Sequence, residues 1–203
     1  MLLSAVTLVE RLRASLALEP REGLLPGDLM EGATDASKDA AVLVAVTDRD
    51  EPGVIFTVRR EHLRTHAGQV SFPGGRCDPG EGAVAAALRE ADEEISLPAA
   101  DIEILGALSP IDIPVSGFRL HPVVGASDRA PALVPADGEV ARILEVPVDA
   151  LMARGAVILT EREREGSRIT VPAFRVGDDE IWGATAMVLA EFLVMLGWTG
   201  PSD

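Results

Sequence analysis

The sequence predicts an α+β domain in which a mixed β-sheet is sandwiched between helices, an α/β/α arrangement. Three observations carry that prediction. Strand-like and helix-like runs alternate irregularly, without repeated βαβ units. The strand-like runs are short and bounded by Gly, Pro and Asp. Two segments, 82–95 and 183–197, have the length and the Ala-rich or apolar composition of helices that pack on a sheet.

In chain order, residues 2–19 set Leu3, Val6, Val9, Leu12 and Leu16 at helical spacing and predict an amphipathic helix. Pro20 to Lys38 is rich in Gly, Pro, Asp and Ser and reads as a connector. This divides the chain into an N-terminal helix and connector, 1–38, and a main domain, 39–203. Two apolar runs, 40–47 and 54–58, flank Asp48-Arg49-Asp50-Glu51-Pro52-Gly53 and predict a hairpin. A polar stretch (59–68), a short strand at 69–72 and a Gly/Pro-rich loop (73–80) precede the helix at 82–95. Strands are expected at 101–108 and 119–126, a loop at 127–138, an extended segment at 139–146 and a short helix at 148–153. A second hairpin is expected at 156–161 and 168–174 before the closing helix.

At 203 residues, with 47% hydrophobic and 25% charged residues, the chain can bury one sizeable core. Its formal charge is −15, from 33 acidic and 18 basic residues. Such a balance disfavours nucleic acid as a partner, because phosphate backbones are bound by clustered Lys and Arg. A small anionic substrate then needs local cations or a bridging metal. The single cysteine, Cys77, excludes an internal disulfide framework and fits a reducing compartment. The apolar N-terminus runs into Glu10-Arg11-Leu12-Arg13 without a basic leader, and no stretch approaches the ~20 apolar residues of a membrane span. A cytoplasmic location, with no membrane partner, is the expectation.

The chemistry-bearing segment is Gly75-Arg76-Cys77-Asp78-Pro79-Gly80-Glu81 followed, seven residues later, by Arg89-Glu90-Ala91-Asp92-Glu93-Glu94. On a helix, Glu90, Glu93 and Glu94 stand at i, i+3 and i+4 and share one face, while Val84, Ala87, Leu88, Ala91 and Ile95 form a neighbouring apolar stripe. Like charges so placed destabilise an isolated helix by about a few tenths of a kcal/mol per pair. Near the C-terminal end the helix dipole adds to that cost. A hard divalent cation would reverse the balance, since Mg²⁺ takes carboxylate oxygens and shares its remaining positions with water and phosphates.

This segment resembles the Nudix box: Gly, five residues, Glu, seven residues, Arg-Glu, an apolar position, any residue, Glu-Glu, any residue, Gly, an apolar residue. Gly75, Glu81, Arg89, Glu90, Glu93 and Glu94 fill six of its seven fixed positions, and Leu97 fits the last apolar one. At roughly one in fifteen per position, six matches in a given window arise by chance about once in ten million. Ser96 departs from the box, which has Gly where a left-handed helix cap is expected. The resemblance implies a Nudix fold and a Mg²⁺- or Mn²⁺-dependent hydrolase. It assigns metal binding to Glu90, Glu94, Glu93 and the Gly75 carbonyl. Catalytic roles fall to Glu93, Glu90, Glu94 and Arg89, with Arg89 pairing Glu81 or orienting a catalytic Glu.

The upstream run Arg59-Arg60-Glu61-His62-Leu63-Arg64-Thr65-His66-Ala67-Gly68-Gln69-Val70-Ser71-Phe72-Pro73-Gly74-Gly75 is similar to the signature of the coenzyme A pyrophosphatase branch. Gly138-Glu139-Val140 and Ile181-Trp182-Gly183-Ala184-Thr185-Ala186 extend the likeness. It implies hydrolysis of coenzyme A to 4′-phosphopantetheine and adenosine 3′,5′-bisphosphate. Arg59, Arg60, Arg64 and His66 concentrate basic groups before the box and are the candidate substrate contacts. Glu139 is the candidate additional metal ligand or base. Another nucleoside diphosphate derivative (a nucleotide sugar, ADP-ribose or an oxidised nucleoside triphosphate) is the alternative substrate class. A non-catalytic nucleotide-binding module is disfavoured by the presence of all three Glu. The family alone suggests a homodimer.

Overall fold

β1 (Lys38–Thr47) is the strand on which the rest is assembled, because it is paired on both edges and buried on both faces. It runs parallel to β7 (Phe118–Ser127) in unbroken register from Lys38↔Phe118 to Thr47↔Ser127. The computed structural model describes residues 7–16, 38–61, 68–114, 116–128, 131–164 and 167–201.

Along β1 the side chains alternate between two apolar clusters, as a strand's period of two requires. Val44 and Val46 enter a cluster with Phe56, Val124, Leu12 and residues of the last helix. Ala41, Leu43 and Ala45 enter another with Ala86, Ala87, Ala91 and Ile95. α2 (Ala83–Ile95) therefore covers one face of the sheet, and α1 (Leu8–Leu16) and α4 (Gly183–Met195) cover the other. The layering is the expected α/β/α sandwich around a mixed sheet. α1 is bound into it: Leu12 is fully buried, and Arg11 and Ser15 donate to the carbonyls of Leu196 and Met195. Residues 17–37, and with them most of the expected connector, lie outside the described residues.

The first sheet also contains β2 (Gly53–Arg59), β3 (Val70–Ser71), β4 (Gly74–Arg76), β5 (Glu103–Ala107), β6 (Ile111–Ile113) and β8 (Val140–Pro147). The expected hairpin between β1 and β2 is present but pairs at only Val46↔Val54 and Thr47↔Gly53. Beyond that point β4 replaces β2 on the edge of β1, β2 pairs instead with β3, and β8 lines the other edge of β2 throughout. α3 (Val148–Met152) follows β8, and β9 (Val157–Arg164), β10 (Ser167–Val176) and β11 (Asp179–Trp182) form a second, three-stranded sheet.

Three strands depart from the sequence expectation. β4 was read as loop, because Gly-Gly-Arg has little strand propensity. β6 and β11 are short and lie in stretches without an alternating pattern. The expected strand at 101–108 begins later, after a 3₁₀ turn at Ala99–Asp101. On α2 the buried stripe is Ala86, Ala87, Ala91, Glu94 and Ile95, while Val84 is 43% exposed. The stripe is thus rotated from the expected one and carries a carboxylate inward.

α2 ends at Ser96, with φ 54° and ψ 40°, the only non-glycine residue at positive φ among the described residues. Its N–H donates to the Asp92 carbonyl at 2.9 Å, and the chain then turns so that Leu97 is buried. A left-handed L-residue costs about 1–2 kcal/mol, part of which glycine's greater freedom in the unfolded chain would offset. Ser96→Gly should therefore raise stability by about 0.5–1 kcal/mol. Urea unfolding checks this as a higher midpoint at unchanged m value.

Candidate active site

β4 and the C-terminal half of α2 approach each other with glycine between them. A Cβ on Gly75 would lie 2.4 Å from Cδ of Glu90 and 2.5 Å from each of its carboxylate oxygens. A Cβ on Gly74 would lie 2.4 Å from the Ala41 carbonyl oxygen and 2.6 Å from the Val42 Cα. Both positions therefore require glycine for space: Gly74 to let β4 pair with β1, Gly75 to admit the Glu90 carboxylate. The Gly74 N–H donates to Glu94 Oε2 at 3.2 Å.

Glu94 is 5% exposed, in a chain where most carboxylates are solvated. Burial pushes its carboxyl up to about 7, and the charges of Glu90 and Glu139 act in the same direction. The Gly74 N–H and the Arg59 guanidinium, with Nη1 3.7 Å from Glu94 Oε1, oppose the shift without cancelling it. Glu139 stands just before β8, where its carbonyl accepts the Arg60 N–H at 2.9 Å. The ends of β2 and β8, β4 and α2 thus bring Arg59, Glu139, Gly74, Gly75, Glu90 and Glu94 together.

Arg89 holds the perimeter of this group. Its Nε and Nη2 donate to the two oxygens of Glu81, each at 3.0 Å, in a bidentate pair. Nη2 also donates to the Arg76 carbonyl at 3.0 Å, and Nη1 donates to Glu90 at 2.9 Å and to Glu93 at 3.2 Å. The guanidinium keeps the Glu81 carboxyl below the usual carboxylate range, helped by the N–H of Asp78. The sequence leaves open whether Arg89 pairs with Glu81 or orients a catalytic Glu; its guanidinium bonds Glu81 and at the same time Glu90 and Glu93. Glu81, absent from the expected site residues although it fills the box, is the anchor of that clamp. Its signal was the spacing of eight residues to Arg89.

Glu93 is placed differently from its two neighbours. Its side chain is 60% exposed and is engaged by Arg89. Among the described residues, no three His, Cys, Asp or Glu side chains stand close enough to hold an ion as they are. The donor set nevertheless fits a hard divalent cation, because the buried Glu94 carboxylate feels the charges of Glu90 and Glu139, and Glu90 lies directly against the Gly75 backbone.

Of the expected substrate contacts, Arg59 closes β2 half-buried, and its Nε is buried without a partner. Arg60 also has a buried, unpartnered Nε, with Nη2 3.7 Å from Asp137. Buried donors of this kind are rare and costly unless a ligand supplies the acceptor. Arg64 and His66 lie outside the described residues. Cys77 is half-buried, and burial together with Asp39 raises its thiol, so it is not a poised thiolate.

With this geometry in hand, the comparisons with known proteins are direct. The family model described as "NUDIX domain" matches residues 37–174. A Citrobacter koseri protein described as "Uncharacterized Nudix hydrolase NudL" is 36% identical over 169 residues, covering 83% of this chain and 88% of its own length. A protein of the same description from Escherichia coli strain K12 is 36% identical over 161 residues, covering 79% and 83%. A solved structure described as a MutT/nudix family protein from Enterococcus faecalis superposes with a TM-score of 0.50 at 17% identity, over 93% of this chain and 68% of the other, and supports the fold.

The Glu94 ionisation sets the pH behaviour of the metal-free protein. Its folded-state value, about 7, lies above the ordinary 4.5, so the folded state binds the extra proton between those values. Stability from this group is therefore present below about pH 4.5 and lost as pH rises to about 7. Glu94→Gln keeps an acceptor for the Gly74 N–H and removes the ionisation. In chelator-treated samples it should gain up to about 3 kcal/mol over wild type by pH 8, with little difference at pH 4. Chemical unfolding across that range reads the effect, and parallel pH profiles for the two proteins would refute it.

Proposed function

The chain belongs to the Nudix family, as a hydrolase of diphosphate linkages, and on that premise we propose that its substrate is coenzyme A or its thioesters. The products are then 4′-phosphopantetheine and adenosine 3′,5′-bisphosphate. The observation that carries the reading is a pairing of features. Glu90, Glu94 and the Gly75 backbone, set side by side, would hold a divalent cation that neutralises phosphate charge, and beside them Arg59 presents a buried N–H without an acceptor. The run from Arg59 to Gly75, similar to the coenzyme A pyrophosphatase signature, supports this substrate over other nucleoside diphosphates.

Nudix hydrolases generally use divalent ions such as Mg²⁺ or Mn²⁺. In our reading Glu90, Glu94 and the Gly75 carbonyl hold the ion, with Glu93 and Glu139 as further carboxylates within the group. Bound there, it would neutralise charge on the phosphates and acidify a water. The protein's own groups do the rest. Arg89 keeps Glu90 and Glu93 at fixed positions relative to β4. Arg59 and Arg60, with Arg64 and His66 from the neighbouring segment, bind phosphate oxygens and orient the linkage. Glu93, exposed and bonded to Arg89, or Glu139 accepts the proton of the attacking water. Water adds to one phosphorus, the bridging P–O bond breaks, and each product leaves with one phosphate of the former pair.

Mass spectrometry of products from the purified protein incubated with coenzyme A and Mg²⁺ or Mn²⁺ tests the substrate. Both named products should appear; cleavage of ADP-ribose or a nucleotide sugar without cleavage of coenzyme A would overturn the specific claim. Glu94→Gln should lower kcat by at least about a hundredfold, since it removes a charged ligand from the site. Wild-type turnover in that variant would remove Glu94 from the mechanism.

A further inference from the structure

Lys38 is the only lysine of the chain, and it stands at the start of β1 directly opposite Phe118 in the parallel β1–β7 register. Its Nζ lies over the Phe118 ring, 5.9 Å from the centroid. The Arg76 guanidinium lies over the same ring, with Cζ 5.5 Å from the centroid. Two cations thus converge on one aromatic side chain in a protein of net charge −15.

Among the described residues, neither cation has a carboxylate within ion-pair distance. Among the described residues, Arg13, Arg49, Arg59, Arg60, Arg89, Arg119, Arg142, Arg162 and Arg168 each stand within ion-pair distance of a carboxylate. Lys38 and Arg76 do not. Asp39 and Asp112, the carboxylates of the strands flanking Phe118, are turned to the other face of the sheet. Asp39 accepts from His121 Nε2 at 2.8 Å, and Asp112 lies opposite Arg119. A ring quadrupole holds cations in place but offers no formal negative charge, so the pair remains available to an anion.

The patch lies one residue along β4 from the diphosphate site, on the other face of the sheet. Arg76 follows Gly75 on β4, and its carbonyl accepts from Arg89. Alternation along β4 sends Gly75 to the α2 face and Arg76 to the opposite face, where Ala40, its partner on β1, shares a side with Lys38.

We propose that Lys38 and Arg76, held together by Phe118, form a subsite for a phosphate monoester of the substrate that is not cleaved. This rests on the diphosphatase reading of the neighbouring carboxylates. In coenzyme A that group is the 3′-phosphate, which carries close to two negative charges at neutral pH and so matches two unneutralised cations. Phe118 is a positioning residue: it touches the cations rather than the ligand.

The test compares coenzyme A with dephospho-coenzyme A, which keeps the diphosphate and lacks the 3′-phosphate. Calorimetry on the full chain in chelator-treated buffer avoids turnover. Wild type should bind coenzyme A on the order of tenfold more tightly than the dephospho form. Lys38→Gln and Arg76→Gln should each collapse that ratio towards one, and Phe118→Leu should reduce it, with circular dichroism verifying the fold. A wild-type ratio of one, or a ratio unchanged in both charge variants, overturns the subsite. A second readout is independent of coenzyme A. Reductive methylation of Lys38, read on its own peptide, should be slowed by adenosine 3′,5′-bisphosphate and by millimolar inorganic phosphate but not by chloride; equal labelling in all three overturns the proposal. Protection without any cleavage of coenzyme A in the metal-loaded assay would leave the subsite standing and remove the substrate reading. Cleavage with an unaltered ratio in the charge variants would do the reverse.

Discussion

β4 carries no Cβ where it faces the α2 carboxylates, and the site depends on that absence. Gly75 admits the Glu90 carboxylate to a position that a methyl group would occupy, and Gly74 brings its N–H to Glu94. The same glycines make β4 a weak strand in its own right, since they contribute no side-chain packing. Its place is secured by its neighbours: three residue pairs to β1 and the reach of Arg89 to the Arg76 carbonyl. Backbone pairing, rather than side-chain packing, therefore fixes the distance between strand and helix.

Electrostatics alone would push this arrangement apart. Glu90, Glu93 and Glu94 crowd the last turns of α2, and Glu139 approaches from β8. Arg89 compensates part of this, but its bonds lie near the surface, where an ion pair contributes at most about 1 kcal/mol. The burial of Glu94 costs more than that, as its raised carboxyl shows. The local balance is unfavourable and is carried by the two apolar clusters on either side of β1. Stability given up at one place in an otherwise well-packed core is the pattern expected of a functional site.

The fold class and the helix bearing the carboxylates were legible in the sequence because both rest on periodicity and spacing. Arg89, Glu90, Glu93 and Glu94 could be placed on one helix before any coordinates. What escaped was set by tertiary contact. β4 forms because β1 offers an edge that β2 vacates, which Gly74-Gly75-Arg76 does not advertise. The inward turn of Glu94 follows from the small Ala residues at 86, 87 and 91, which let α2 settle deeper and at a different rotation than Val84 and Leu88 suggested. The dual role of Arg89 needed coordinates because spacing names its partners without saying that all can be engaged together. Lys38, Arg76 and Phe118 are far apart in sequence, and only the parallel β1–β7 pairing with β4 on the other edge of β1 joins them.

The register of β4 against β1 governs both halves of this picture. A strand's side chains alternate, so a slip by one residue would exchange the faces to which Gly75 and Arg76 belong. An arginine would then stand where Glu90 needs an open backbone, and the cation pair over Phe118 would be broken. Hydrophobic patterning, the usual guard of register, is missing from Gly-Gly-Arg. Gly74 supplies the guard by sterics instead: it sits so close to the Ala41 carbonyl and the Val42 Cα that any residue bearing a Cβ is excluded at that pairing position. A slip that placed Pro73 there would collide with the β1 backbone, and the opposite slip, which brings in Gly75, is opposed instead by the clash of Arg76 with the Glu90 carboxylate. The close approach that opens the carboxylate site on one face of the sheet is thus also what keeps the charges of the other face in place.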